Sequence, residues 1–107
     1  MALYRGHCHH GVCHVTVRGR ALCPRLDLQT FSASGFGWGR LDAHARQLAL
    51  ALLADHCGAD ENRALEHTAA FAEHVVAELH RPRWTLLSRE IEQRLQCLEG
   101  AAAERAA

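Results

Sequence analysis

A chain of 107 residues that is 49% hydrophobic and 22% charged can bury one apolar core, which excludes a disordered tail or a disulfide miniprotein and predicts a single domain. Its 12 basic residues, all Arg, balance 12 acidic ones, so the formal charge is zero and gives no overall electrostatic case for nucleic acid or a membrane surface. The cysteines are odd in number at five, the opening MALYRGHC lacks the segments of a secretory signal, and the apolar run over 48–54 is too short for a bilayer; together these predict a soluble protein of the reducing cytoplasm.

Ala2 to Gly6 suits a short strand. Over Val12 to Arg18, Cys13, Val15 and Val17 alternate with His14, Thr16 and Arg18, the pattern of a strand with one buried face. His7 to Gly11 is then the tip of a hairpin, and Arg18-Gly19 turns the chain into a third strand, Arg20-Ala21-Leu22. Pro24 ends that strand because it cannot donate to a ladder. Leu26 and Leu28 alternate with Asp27 and Gln29 and predict a fourth strand or an extended edge, so residues 1–29 read as a β-meander.

Residues 30–42 form a loop of glycines and aromatics in which Phe31, Phe36 and Trp38 supply apolar surface, and it is expected to pack against the helix it introduces. That helix runs from Ala43 to Cys57, with Asp42 as N-cap and Gly58 just past its end. Leu48 to Ala54 is apolar on every side, which requires cover on most sides and predicts a central helix. Asp60 caps a second helix that ends before Pro82; Leu65, Thr68, Ala69, Ala72, Val75, Val76 and Leu79 form its inner stripe, with Arg63, His67, Ala70, His74, Glu78 and Arg81 opposite. Trp84 to Leu87 leads to Ser88, the N-cap of a short third helix built on Ile91, Leu95 and Leu98. Gly100 stops it, and 101–107 frays. Cys57 and Cys97 are read as packing residues. The expected fold class is α+β: a small N-terminal antiparallel sheet of three or four strands on three C-terminal helices over 43–100, the first helix central.

The succession Tyr4-Arg5-Gly6, Val15 to Leu22, Pro24 to Leu28, Ser34 to Gly39, Gln47 to Asp55 and Trp84 to Ile91 resembles a small bacterial and phage family, domain of unknown function family 6166. The resemblance implies an architecture and a source among bacteria or mobile elements, and it carries over no catalytic residue. Where the family continues from Trp-Gly with a Tyr and a Gly-Ser-Pro stretch, this chain has Arg40-Leu41-Asp42-Ala43-His44-Ala45. The cluster His7 to His14 is peculiar to this sequence.

That cluster holds the sharpest candidate chemistry. Cys8, His10, Cys13 and His14, with Cys23 as an alternative fourth ligand, offer a tetrahedral Zn²⁺ set. Against this stands a plain surface hairpin rich in His, since no second pair at a finger spacing follows. Cys8 or Cys13 beside an imidazole also suggests a nucleophile, but an orienting group and a cleft are not visible in the sequence. Gly35-x-Gly37-x-Gly39 lacks a following Lys and reads as structural. Arg18, Arg20 and Arg25, with Arg81 and Arg83, keep nucleic-acid binding as an alternative. The leading expectation is a non-enzymatic module that holds a protein partner through His9, His10, Phe36, Trp38, Arg40 and Asp42 and needs no cofactor. Inhibition of a host defence complex is one form of that role.

Overall fold

Alternation builds the first hairpin. In the computed structural model, which describes residues 2–106 and side chains as far as Gly100, strand β1 (Leu3–His9) pairs antiparallel with β2 (Val12–Val17). Tyr4, Val15 and Val17 face inward while Arg5, His7 and His14 face water. The tip is tighter than the sequence suggests. Only His10 and Gly11 lie between the strands, both at positive φ (51° and 78°), and Arg18-Gly19 makes an equivalent two-residue turn into β3 (Arg20–Ala21). Paired positive φ angles match the twist of adjoining strands, which is why such turns close hairpins.

The fourth strand is not where the sequence places it. Residues 24–29 turn instead of extending: Arg25 sits at φ 55°, Leu28 N–H donates to Arg25 O at 3.1 Å, and Leu26 is 40% exposed. Pro24, with no N–H to donate, weighs against a ladder there. The strand is β4 (Arg83–Leu87), read from sequence only as a connection, and it pairs antiparallel with β1 to give the order β3-β2-β1-β4. Trp84 buries its indole over Gly6, its partner across the ladder.

Helix α1 (Ala43–Cys57) forms with the expected caps: Ala45 N–H donates to Asp42 Oδ1 at 2.9 Å, and Gly58 at φ 62° donates to Ala54 O at 3.1 Å. Leu48 to Leu53 are fully buried between the sheet and α2 (Glu61–His74), so α1 is central. The inner face of α2 is turned from the expected stripe. Ala64, His67, Phe71 and Ala72 are buried and Ala69 is exposed, because Phe71 carries more apolar area than any alanine and sets the rotation. The helix stops at His74, and a 3-10 turn over Val76–Glu78 follows.

Helix α3 (Ser88–Ala106) passes through Gly100 without stopping, since the alanines after it are strong helix formers; the expected fraying is not seen over 101–106, and Ala107 lies outside the described residues. Ser88 does not cap with its side chain. Its Oγ accepts from Ala2 N–H at 3.3 Å, and Glu90 Oε1 accepts from Leu87 N–H at 3.1 Å. Cys57 is half-buried as expected, but Cys97 is exposed.

Candidate functional site

The Gly and aromatic loop is pinned to the elements around it. Gly37 N–H donates to His44 O at 3.3 Å, and Gly39 N–H donates to Val76 O at 3.1 Å. Gly39 has φ 82°, and a Cβ there would come within 3.1 Å of Leu79 O, so a glycine is required twice over. Trp38 meets Trp84 edge-on with ring centroids 5.3 Å apart, and its Nε1–H donates to Arg81 O at 3.0 Å. The indole thus ties the loop to the chain entering β4.

This anchoring brings together two regions that the sequence proposed separately. Gly11, Val12 and Cys13 of the hairpin end form one wall of a groove of about 600 Å³, and residues from Ser34 to His44 form the other. Phe36, Trp38, Arg40 and Asp42 all line it. His9 and His10, expected on the same surface, are not among its lining residues; they are exposed at the hairpin end, with their rings 4.0 Å apart and edge to face. Asp42 also caps α1 through Oδ1, so its carboxylate is held in place. Val12 is 55% exposed and Leu41, between two lining residues, 46% exposed; they are two of the three large apolar side chains most open to water.

Behind the groove, Ser32 Oγ lies 2.8 Å from His44 Nδ1, which also lies 3.2 Å from Gly35 O. Ser32 is buried and accepts from Ser34 N–H at 3.3 Å. Among the described residues no carboxylate bonds the His44 ring, so the pair works as a clip on the loop. Neither residue was singled out from sequence; a Ser and a His in a loop and a first turn carry no local signal.

The zinc set does not assemble as drawn. Cys8 and Cys13 face each other across β1 and β2 and are joined in a disulfide, where free thiols were expected. A strand sends successive side chains to opposite faces, so Cys13 and His14 diverge, while His10 sits on the turn. Cys23 is exposed beyond β3. Among the described residues no three His, Cys, Asp or Glu side chains converge as a metal would need.

A second polar cluster lies where α1, α2 and α3 meet. Arg63 donates to Glu92 through Nη1 and Nη2 (3.1 and 2.7 Å) and to Glu99 through Nε and Nη2 (2.9 Å each). His56 Nε2 lies 2.7 Å from Glu92, and the buried His67 lies 3.6 Å from Glu99. The Arg63 guanidinium, joined by His56, pulls Glu92 down to about 2, and hydrogen bonds to both carboxylates push Arg63 up. His67 and Arg63, expected on a solvated face, are thus engaged with α3. The spacing of Glu92 and Glu99, seven apart and so on one helix face, was the sequence signal for this cluster.

On the sheet side, the Tyr4 hydroxyl donates to Asp55 Oδ2 at 2.6 Å and Arg18 Nη2 donates to Asp55 Oδ1 at 2.7 Å. Burial, then Asp55, pushes the Tyr4 hydroxyl well above its usual range. Among the described residues no helix is long and apolar enough to cross a membrane.

Together the fold and the groove define a small α+β domain with an open cleft between a hairpin end and a glycine-rich loop. The chain belongs to a family of unknown function, DUF6166, which matches residues 4–97 and so spans nearly all of the sheet, α1, α2 and the first half of α3. No curated protein and no solved structure matches the chain.

Proposed function

We propose that the chain is a non-enzymatic binding protein that holds a protein partner in the groove between the hairpin end and the loop from Ser34 to His44. The observation that carries this reading is a groove lined by the exposed Val12 and the half-buried Phe36 and Trp38, with the exposed Leu41 next to it in sequence, between the lining residues Arg40 and Asp42. Apolar anchors at the centre with polar groups at the edge are the usual anatomy of a protein interface, and here Arg40, Asp42, His9 and His10 supply the edge. A component of a host defence complex is the concrete partner this reading proposes. The groove's polar atoms are spent on holding the loop, which favours contact over chemistry.

Val12→Asp and Leu41→Asp change side chains that carry little of the core, so both variants are expected to keep the melting temperature. Partners that co-purify with the wild-type chain from host lysate should be lost with either variant. Retention of the same partners by both variants would overturn the reading.

A further inference from the structure

The helices cover one face of the sheet, the one that carries Tyr4, Val15, Val17 and Trp84. The opposite face is open, and on it Arg5, His7, His9, His14, Arg83 and Thr85 are all exposed. Register sets His14, His7 and Arg83 in one row across β2, β1 and β4, with Thr16, Arg5 and Thr85 in the row beside it. The His7 and His14 rings stand 5.6 Å apart. A shallow groove of about 590 Å³ runs between Arg5, His7, Thr16 and Arg83.

No strand of the sheet carries an acidic residue, and Asp27 is the first one in the chain, after Arg5, Arg18, Arg20 and Arg25. Among the described residues Arg5 and Arg83 have no carboxylate partner, whereas Arg18 has one and Arg25 and Arg63 have two each. The neutral total therefore hides a sheet whose strands carry Arg5, Arg20 and Arg83 and no carboxylate.

We infer that this open sheet face binds single-stranded nucleic acid, with Arg5 and Arg83 on phosphates and the His7 and His14 rings beneath bases. Two guanidinium groups free of carboxylates give the charge complementarity that a phosphodiester backbone needs. Flat imidazoles and an open surface suit splayed bases, which stack on rings of this kind. A duplex is the poorer fit, because nothing projects from the face to enter a groove. This surface lies on the sheet and stands apart from the reading of the cleft.

The test is fluorescence anisotropy of a labelled thymidine oligomer of about 15 nucleotides, titrated with the full chain. Two phosphate contacts predict a log–log salt slope of about −1.4, or about sevenfold weaker binding from 50 to 200 mM salt. Arg5→Glu with Arg83→Glu should weaken binding at least tenfold, and Arg94→Glu on α3 should leave it unchanged. His7→Ala with His14→Ala should weaken binding while keeping the salt slope, since stacking releases no ions. Melting curves check that each variant folds; if the Glu pair does not, Arg5→Gln with Arg83→Gln takes its place. Absence of binding at low salt, an equal loss with Arg94→Glu, or tighter binding of a duplex of the same length would each overturn the inference.

Discussion

Gln47 is fully buried beside the apolar run of α1 and binds the loop over residues 24–32 through four hydrogen bonds. Its Oε1 accepts from Phe31 and Ser32 N–H at 2.7 and 3.1 Å, and its Nε2 donates to Pro24 and Gln29 O at 2.7 and 3.2 Å. Residues 24–32 have no ladder of their own, so this one amide replaces it. Gln47→Leu keeps the volume but strands the loop's amides, each at a cost of about 1–3 kcal/mol, and chemical denaturation should show a loss of about 3 kcal/mol. Gly6 carries a different constraint. A Cβ there would overlap the Trp84 indole, a rigid ring on a buried strand, so Gly6→Ala should lower stability by about 1–3 kcal/mol. Neither role is visible locally: an amide in an apolar helix and a glycine in a strand become legible only once their distant partners are placed.

Helix α3 is held by a polar clamp in addition to its buried Ile91 and Leu95. Arg63 reaches two carboxylates one helical repeat apart, so Arg63→Met should loosen α3 with a cost of about 1–2 kcal/mol after allowance for solvent screening. The pH dependence follows from the sign of the shift. Glu92 is held down to about 2 in the fold against about 4.3 in an unfolded chain, so its contribution is complete above the unfolded value and disappears as pH falls through the folded one. Thermal melts should therefore show wild type and Arg63→Met separated at pH 6 and converging between about pH 4 and 2; a constant separation would refute the clamp. The caps of α1 and α2 were legible because capping is local chemistry. The rotation of α2 was not. Its buried face depends on where Phe71 finds room, and period alone took Ala69 into the stripe and left Phe71 out.

The sequence places the first two strands, the central helix and the class of fold correctly, and of the residues it names for a surface Phe36, Trp38, Arg40 and Asp42 share one groove while His9 and His10 do not line it. It misplaces the closing strand, since Leu26 and Leu28 alternate as well as Trp84 and Leu86 do, and only long-range pairing decides between them. Net charge was misleading for a related reason: a sum discards position, and here the strands of the sheet carry Arg5, Arg20 and Arg83 but no Asp or Glu. The sheet has order β3-β2-β1-β4, so β1 is an inner strand that waits for a neighbour from the far side of two helices. A chain cut after Leu79 lacks β4 and α3, and it should show no cooperative melting transition by circular dichroism. The bond from Ser88 N–H to Ala2 O closes the sheet across a sequence separation of 86, as measured for the same two residues. On the ribosome, the first strand therefore emerges long before its second partner exists and carries a bare hydrogen-bonding edge through most of synthesis. Translation pauses and nascent-chain chaperones will bear on the yield of this protein more than its small size suggests.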